Sequence, residues 1–346
     1  MNDHIEKKLR SEKEIMSTWG DCDSPLVSIV CHTFEQERYI EDALASFLMQ
    51  RTTFSFEIVI HDDASKDKTK EIIEGYRRQY PNIIFPILQT ENQYSKNKKP
   101  SLFTFRAARG KYIALCEGDD YWIDTNKLAR QVSVFKENPA VSLCFHPAKK
   151  YDVVNNSSSI MSKHFAHDTK VSLKEVILGR GHFMPTASLM FINEDIENLI
   201  ESFKLAPVGD YFIQVYMSSL KGAYYINTPM SAYRKNSEGS WSANLHLEAE
   251  SQIKHKILMI KPIAKFSEYL KIHNCNKYFE EVIAIYFVSA TGLCHGVKNT
   301  LRLYIVLMLL VLQQNSLSRL SILLRVLRRL LLNKITRIKN VLSVEK

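Results

Sequence analysis

Three carboxylates are crowded into the four residues Glu117-Gly118-Asp119-Asp120. Like charges this close repel one another, and the arrangement becomes favourable mainly when a cation is bound. Hard divalent cations such as Mg²⁺ and Mn²⁺ prefer carboxylate oxygens, and substrate phosphates commonly complete their coordination shell. The segment therefore predicts a site for a divalent metal ion. The alternative is an acidic turn that caps the next helix.

Two further polar clusters carry side chains that suit a nucleotide. In Asp62-Asp63-Ala64-Ser65-Lys66-Asp67, the first carboxylate could accept hydrogen bonds from a nucleobase imide or a ribose hydroxyl. Without a ligand, the same segment is a turn with a helix N-cap near Asp67 and Thr69. The segment Thr33-Phe34-Glu35 offers a hydroxyl, an aromatic face and a carboxylate. The position of these clusters in the fold decides between the alternatives.

The elements that must position the clusters alternate between strands and helices. Apolar runs of strand length occupy residues 25–31, 56–60, 83–88 and 111–116, with helical patterns between them at 40–48, at 69–80 and before Arg109-Gly110. This alternation is typical of a parallel α/β sheet, where ligands bind beyond the carboxyl ends of the strands. Because each polar cluster follows a strand, we expect all three at one site.

The remainder of the chain has a less regular pattern. A helix is predicted at residues 127–138 and a strand at 141–145, followed by a polar loop or hairpin insertion at 147–170. Helix-like and strand-like pieces alternate from 171 to 245, and from about 247 onward the sequence is helical.

Together these segments resemble the family-2 glycosyltransferases, inverting enzymes with the GT-A fold. The resemblance is dense over residues 25–145 and looser to about 240. It is carried by the following runs: Pro25-Leu26-Val27-Ser28-Ile29-Val30 with Thr33; Tyr39-Ile40-Glu41-Asp42-Ala43-Leu44-Ala45-Ser46 with Gln50; Phe56-Glu57-Ile58-Val59-Ile60-His61-Asp62-Asp63-Ala64-Ser65 with Asp67 and Thr69; Ala108-Arg109-Gly110-Lys111-Tyr112-Ile113-Ala114; and Glu117-Gly118-Asp119-Asp120-Tyr121-Trp122.

The resemblance implies a role for each residue of the donor site. Thr33, Glu35 and Asp62 would hold the base and ribose of the nucleotide. Asp119 would be the main metal ligand, with Asp120 beside it. Glu117 would contact the donor where the family usually has an Asp, and its side chain is one methylene longer.

Two later residues complete the implied machinery. Asp210, in Gly209-Asp210-Tyr211, would be the general base that takes the proton of the acceptor hydroxyl. The alternative for Asp210 is a helix N-cap, and one residue can serve both roles. Arg234, in the loop 233–241 that covers the donor in the family, would contact the diphosphate. The alternative for Arg234 is a solvent-exposed arginine.

The predicted fold is therefore α/β, a GT-A-type, Rossmann-like and mostly parallel sheet flanked by helices, with a C-terminal helical and basic amphipathic extension. We expect a lead-in at residues 1–24, a catalytic domain at 25–245 and a helical region at 246–346. Within the catalytic domain, residues 25–145 would form the nucleotide-sugar half and 146–245 the acceptor half.

The formal net charge of +9 comes largely from the C-terminal region. Between Glu281 and Glu345 there is no acidic residue and there are nine lysines and arginines. Leucines at helical spacing from Leu320 to Leu331 alternate with Arg325, Arg328 and Arg329. This pattern predicts that residues 300–340 lie on an anionic membrane surface. The alternatives are a helical cap on the catalytic domain, a dimer interface and, with less support from composition, nucleic-acid binding, so no nucleic acid is expected as a partner.

Other features concern the compartment. The six cysteines form no C-x-x-C pair, which favours reduced thiols in the cytosol. The charged N-terminal residues lack the apolar segment of a secretory signal, and no apolar run reaches the length of about 18 residues needed to span a membrane. We expect a cytoplasmic protein, peripheral on the inner face of the cell membrane.

The predicted activity is that of an inverting glycosyltransferase of the hexosyltransferase type with a Mg²⁺ or Mn²⁺ cofactor. It would move a sugar from a UDP-linked donor to a hydroxyl of a glycan or lipid-linked acceptor in surface polysaccharide biosynthesis. One alternative is a Mg²⁺-dependent nucleotidyltransferase, but no Gly-rich phosphate loop follows Val30. Another is an inactive, membrane-attached scaffold of the same fold. This alternative stays open because Glu117 replaces the Asp that is usual in the family.

Overall fold

A computed structural model describes residues 9–20, 24–204, 206–238, 249–270, 272–292, 321–326 and 328–329. The chain divides into two compact units, of which the first comprises Met1–Leu173, Gly181–Glu201 and Ile213–Ala243 and the second Lys174–Arg180, Ser202–Phe212 and Asn244–Lys346. The last crossing between them lies close to the predicted boundary at residue 245. Two earlier segments, which pattern alone did not separate, also belong to the second unit. The predicted roles of the domains stay predictions.

The first unit begins with a short helix and four parallel strands. These elements are α1 (Glu12–Met16), β1 (Val27–Thr33), β2 (Phe56–Asp62), β3 (Ile84–Leu88) and β4 (Tyr112–Leu115). The strands pair in the order β3-β2-β1-β4, all parallel. Nearly every residue of β1 and β2 is buried, which is why apolar residues fill consecutive positions at 29–31 and 58–60 rather than alternate ones. The four predicted strands are confirmed.

Helices connect these strands as the periodicity predicts. They are α2 (Ile40–Leu48), α3 (Thr69–Gln79) and α4 (Ser101–Ala107), with a 3₁₀ turn at Tyr94–Lys96 before α4. In α2 the apolar positions Ile40, Ala43, Leu44 and Phe47 are all buried. The spacing of these residues places them on one helix face, and that face supplies part of the core.

The sheet continues with shorter strands to a total of eight. The added elements are β6 (Leu143–Phe145), β9 (Thr169–Val171), β10 (Met190–Ile192) and β11 (Ala223–Tyr225), in the overall order β3-β2-β1-β4-β10-β6-β11-β9. Strand β10 runs antiparallel to both of its neighbours, and β9 runs antiparallel to β11. The predicted α/β fold with a large, mostly parallel central sheet flanked by helices is confirmed, and β9 and β10 are its antiparallel members.

A second sheet of four strands lies in the same unit. It consists of β5 (Tyr121–Trp122), β7 (Ala148–Asp152), β8 (Ser157–Met161) and β12 (Ser231–Lys235), in the order β5-β12-β7-β8. The antiparallel pair β7 and β8 shows that the polar insertion is a hairpin. Strand β12 pairs with β5, which directly follows the acidic segment. The small sheet thereby brings residues more than a hundred positions apart into contact.

The remaining elements are helical. They are α5 (Lys127–Glu137), α6 (Leu173–Gly179), α7 (Ile196–Phe203), α8 (Asp210–Lys221), α9 (Ala249–Leu270) and α10 (Asn276–Gly292), with 3₁₀ turns at Thr186–Ser188 and His273–Cys275. In the second unit, Phe266 of α9 packs edge-to-face on Phe279 of α10. Ile322 and Val326, in the helical residues 321–326, are buried. The predicted C-terminal helical extension is present.

None of the described helices is both long and apolar enough to cross a membrane. Most of the segment 300–340, predicted to contact a membrane surface, lies outside the described residues. The four cysteines that the structure describes, Cys31, Cys116, Cys144 and Cys275, are buried and free of disulfides.

Candidate functional site

The acidic segment lies against the carboxyl end of β1. Gly118 N donates to His32 O at 2.9 Å, so the chain leaving β4 crosses the end of β1. A Cβ atom on Gly118 would lie 2.4 Å from Gln36 Oε1 and 2.9 Å from Thr33 Oγ1. Only glycine allows so close an approach. Gly118 therefore lets the loop pack directly on two polar side chains.

Asp119 and Asp120 are both buried in this loop. Asp119 Oδ2 accepts a hydrogen bond from Ser237 Oγ at 2.8 Å, and Asp120 Oδ1 accepts one from the backbone N–H of Arg234 at 2.9 Å. Burial raises the pKa of Asp119, although hydrogen bonds from Ser237 and Gln36 and the charge of Arg234 oppose the shift. Burial, and then the charges of Asp119 and Glu117, raise the pKa of Asp120 well above its usual value. Both ionised carboxylates are thus held at an energetic cost.

Glu117 is half-buried between Cys116 and Gly118. Its negative charge contributes to the raised pKa values of both Asp120 and the buried thiol of Cys31. The structure therefore brings Glu117 together with Asp119 and Asp120 in one electrostatic cluster.

Arg234 closes this cluster from strand β12. Its Nη2 donates to Asp42 Oδ2 at 2.5 Å and its Nη1 donates to Asp119 O at 2.9 Å. The guanidinium carbon lies 4.4 Å from the centroid of the Tyr121 ring, a cation–π distance. The solvent-exposed alternative for Arg234 is wrong, because only 13% of its side chain is exposed.

The loops after β1 and β2 are joined by three consecutive backbone donors. Glu35 N donates to Ser65 Oγ and Gln36 N to Thr69 Oγ1, both at 2.8 Å, and Glu37 N donates to Asp67 Oδ2 at 3.0 Å. Glu35 has a φ of 52° and Ala64 a φ of 64°, a left-handed region that non-glycine residues adopt at some cost. The hydrogen bonds hold this strained backbone in place. Asp67 also accepts from Thr69 N at 3.0 Å, although the N-cap position of α3 is Lys68, which makes no capping hydrogen bond with its side chain.

The three residues predicted to hold base and ribose differ in their surroundings. Thr33 and Asp62 are paired in the β1–β2 register and both are buried. Thr33 Oγ1 has no hydrogen-bond partner among the described residues. Asp62 accepts from Ser65 N at 3.1 Å and from Ser65 Oγ, and burial raises the pKa of its carboxyl. The side chain of Glu35 is exposed.

Sequence reasoning missed several residues of this site. Ser237 and Gln36 both hydrogen-bond Asp119, and Asp42 pairs with Arg234. Asp63, which pattern left without a role, accepts from Gln93 N at 2.7 Å and Tyr94 N at 3.0 Å and so shapes the loop before α4. The sequence signal for these residues is their place in segments already singled out, such as the run 39–46 and the loop 233–241, without any indication of their partners.

The donor set suits a hard divalent cation only in part. In the part of the chain that the structure describes, no three His, Cys, Asp or Glu side chains converge on a position that could hold a metal ion. The carboxyl groups of Asp119 and Asp120 nevertheless have raised pKa values, and a cation would stabilise their ionised forms. A cation at this place would take most of its ligands from water and from a bound anion.

Asp210 lies in the second unit, as the first residue of α8. It is half-buried, and its removal from water raises the pKa of the carboxyl. Because Asp210 is itself the first helical residue and not the residue before the helix, its predicted roles as N-cap and as general base stay predictions.

Comparison with known proteins gives one family. The family model for "Glycosyl transferase family 2" matches residues 28–206. An uncharacterized protein of Mycobacterium tuberculosis is 36% identical over 217 residues, which cover 62% of this chain and 60% of that protein. The UDP-Glc:alpha-D-GlcNAc-diphosphoundecaprenol beta-1,3-glucosyltransferase WfgD of Escherichia coli is 29% identical over 139 residues, 40% of this chain and 50% of that enzyme. The chain thus spans about 60% of the length of its mycobacterial relative.

Among solved structures, S. aureus TarS in complex with UDP-GlcNAc superposes with a TM-score of 0.53 at 16% sequence identity. The superposition covers 81% of this chain and 86% of the TarS chain. At this identity the likeness establishes the fold, which is the GT-A fold.

Proposed function

Because this chain belongs to glycosyl transferase family 2, we propose that it moves a hexose from a UDP-linked sugar to a hydroxyl of a glycan or lipid-linked acceptor in surface polysaccharide biosynthesis. The observation that carries the proposal is the cluster at the ends of β1 and β4. There, buried carboxylates with raised pKa values lie beside the buried hydroxyl of Thr33, which has no hydrogen-bond partner among the described residues. The similarity to WfgD, whose donor is UDP-Glc, and to TarS, solved with UDP-GlcNAc, supports a UDP-sugar donor.

The donor would lie along the carboxyl ends of β1, β2 and β4. Thr33 Oγ1 has both donor and acceptor capacity to offer a nucleotide, whereas Asp62 and Glu35 offer acceptors for base imide and ribose hydroxyl groups. Glu117 and Asp120 flank the expected position of the diphosphate. The positive charge of Arg234, held beside Asp119 and Asp120, would attract its phosphates.

Asp119 is the proposed protein ligand of a Mg²⁺ or Mn²⁺ ion. When bound, such an ion neutralises the charge of the departing nucleoside diphosphate. Ser237 and Gln36 orient the Asp119 carboxylate through hydrogen bonds, so that its free lone pairs point in one direction. Crowding with Asp120 and Glu117 makes the unliganded site unfavourable, which favours binding of a cation.

Asp210 is the proposed general base. The acceptor oxygen attacks the anomeric carbon from the side opposite the diphosphate, and the bond from that carbon to the diphosphate oxygen breaks with its electron pair going to the oxygen. The proton of the acceptor hydroxyl goes to the Asp210 carboxylate. Attack from the opposite side inverts the anomeric configuration. The raised pKa of Asp210 makes its ionised form a stronger base than an ordinary aspartate.

We further propose that the protein works at the inner face of the cell membrane, held there in part by residues 300–340. The pattern of leucines and cations in that segment supports the proposal. Of that segment the structure describes residues 321–326 and 328–329.

Metal-dependent hydrolysis of UDP-sugars by the purified protein tests the proposed donor site. We expect Asp119→Asn to lower turnover with Mn²⁺ about 100-fold, because the variant loses the ligand charge that holds the ion. Glu194→Gln, which removes an exposed carboxylate paired with Lys221, is the matched control and should leave turnover unchanged. Equal turnover of Asp119→Asn and the unsubstituted protein would contradict the site assignment.

Asp210→Asn tests the base separately. We expect this variant to bind a UDP-sugar with Mn²⁺ as the unsubstituted protein does, measured by thermal shift, while transfer to an acceptor falls about 100-fold. Loss of donor binding together with transfer would indicate that Asp210 supports the structure and is not the base. The anomeric configuration of the product, read by NMR, tests inversion.

A further inference from the structure

A cavity of about 360 Å³ in the second unit has a strongly basic lining. Its volume falls in the range of about 300–1,000 Å³ that is usual for small-molecule sites. Four of the seven lining side chains are cations: Lys277, Arg325, Arg328 and Arg329. Glu281 is the acidic member of the lining. The cavity thus offers more positive than negative charge.

Internal ion pairs account for two of the four cations. Arg325 Nη1 donates to Glu281 Oε2 at 3.0 Å, and Arg329 Nε donates to Glu281 Oε1 at 2.7 Å. Arg325 also lies beside the buried carboxylate of Glu280. Within the described residues, neither Lys277 nor Arg328 has a carboxylate partner, and both are exposed. These two charges are available to an anion from outside.

Apolar and aromatic side chains lie next to these two cations, and Lys277 Nζ is 5.2 Å from the centroid of the Tyr278 ring. Leu178 lines the cavity itself. Leu324 is 57% exposed and lies four residues before Arg328, so both project from the same helix face. Cations beside exposed leucine match an amphiphile whose charged group enters the cavity while its hydrocarbon stays outside. A free nucleotide or phosphate has no hydrocarbon chain that could cover the exposed leucine.

We propose that this cavity binds the phosphate of an anionic lipid headgroup, with Lys277 and Arg328 as its contacts and Leu324 toward the acyl chains. The proposal does not rest on the glycosyltransferase activity. It differs from attachment by a uniform cationic stripe, because Arg325 and Arg329 are engaged by Glu281 and hold the helix to α10. Lys277 lies outside the segment 300–340 that the sequence predicts to contact a membrane, and the proposal adds it to that contact.

Vesicle sedimentation of the full chain tests the proposal. We expect the protein to sediment with phosphatidylcholine vesicles that contain phosphatidylglycerol and to stay in solution with phosphatidylcholine alone. The double variant Lys277→Gln/Arg328→Gln should weaken binding about thirtyfold, since each of the two cations contributes about a fivefold gain near an anionic surface. Both side chains are exposed, so the variant should fold normally. Unchanged UDP-sugar hydrolysis without vesicles would confirm that folding and separate this result from the catalytic proposal.

The double variant Lys70→Gln/Lys136→Gln is the control, because it removes the same charge from exposed positions on α3 and α5. It should weaken vesicle binding less than about threefold. Equal weakening by the two double variants would show general electrostatic attraction and overturn the assignment of the cavity. Failure to bind phosphatidylglycerol vesicles would overturn it too. Saturable binding of inorganic phosphate, measured by calorimetry, would also overturn the assignment if the protein does not bind vesicles. The ligand would then be a free anion.

Discussion

Arginine lies beside carboxylates in two regions of this protein, and the pKa values of those carboxyl groups are shifted in opposite directions. In the first unit, Arg234 contacts Asp42 and the loop of Asp119 and Asp120. Burial raises the pKa of both loop carboxyls, and the charges of Asp119 and Glu117 raise the pKa of Asp120 further. In the second unit burial also acts on Glu281, but hydrogen bonds from Arg325 and Arg329 outweigh it and lower the pKa of that carboxyl. The same pair of residue types therefore forms two different electrostatic environments.

The difference lies in which charge is in excess. Around Arg234, one guanidinium pairs with Asp42 and also lies near the carboxylates of Asp119 and Asp120, so negative charge is left over. Around Glu281, the neighbouring cations outnumber the carboxylates, so positive charge is left over. Uncompensated charge at a buried or half-buried place is favourable only when a ligand of opposite sign binds. The first region is therefore suited to a cation and the second to an anion.

The largest contrast is expected in stability. Arg234 and Asp42 are only 13% and 16% exposed in their side chains, whereas Arg329 and Glu281 are 36% and 25% exposed. We expect Arg234→Ala to lower the free energy of unfolding by about 3 kcal/mol, because it removes the guanidinium that pairs with the nearly buried carboxylate of Asp42. Arg329→Ala should lower it by at most about 1 kcal/mol, since water screens that pair. Urea unfolding followed by circular dichroism measures both.

A restoring substitution checks the cause. The double variant Arg234→Ala/Asp42→Ala removes both charges and should recover part of the lost stability relative to Arg234→Ala alone. Equal losses for Arg234→Ala and Arg329→Ala would mean that burial does not distinguish the two pairs.

How far sequence alone predicts these regions depends on how local their contacts are. The acidic segment, its place at the end of a strand and the parallel sheet follow from hydrophobic runs and the alternation of strands and helices, and the structure agrees. The acid-free C-terminal region is likewise visible in the sequence. Local pattern thus indicates where charge accumulates.

The partners of those charges were not predictable. Arg234 and Asp42 are 192 residues apart, and Ser237 and Asp119 are 118 apart, so no helix or strand period connects them. They come into contact because β12 pairs with β5. Strand β5 has only two residues, and no apolar run of strand length predicts it. Arg329 and Glu281 lie 48 residues apart on separate helices. For that reason the sequence predicts a cationic stripe that faces a membrane, although Arg325 and Arg329 form ion pairs within the protein.

Ser237 allows a finer test of the first region. Its hydroxyl is buried and donates to Asp119 at 2.8 Å, so Ser237→Ala should leave the carboxylate less well oriented. We expect Mn²⁺ binding in the presence of UDP to weaken about tenfold, as loss of a hydrogen bond to a metal ligand typically does. Electron paramagnetic resonance of free Mn²⁺ measures the affinity without reference to turnover.

The matched control is Ser219→Ala, because the Ser219 hydroxyl donates to the carbonyl of Tyr216 in the same helix. That variant should bind Mn²⁺ as the unsubstituted protein does. Tighter binding by Ser237→Ala would mean that the hydroxyl competes with the ion for Asp119, contrary to the proposed orienting role.

The smallest expected effect is a change in the free energy of unfolding that has opposite signs in the two regions. Since the folded protein raises the pKa of Asp120, the folded state keeps a proton that the unfolded state releases, and stability falls as pH rises from the unfolded pKa to the folded one. Asp120→Asn removes this loss and should raise the free energy of unfolding of the ligand-free protein at neutral pH by on the order of 1 kcal/mol. The amide oxygen can still accept from Arg234 N.

Glu281→Gln should do the opposite. The pKa of Glu281 is lowered on folding, so its contribution is present above the unfolded pKa and disappears as pH falls through the folded one. The variant should therefore be less stable than the unsubstituted protein at neutral pH and equal to it in acid. Thermal unfolding of both variants across pH gives the signs. If both substitutions shift stability in the same direction at neutral pH, excess charge does not distinguish the two regions, since a carboxylate surplus predicts stabilisation and a cation surplus predicts loss.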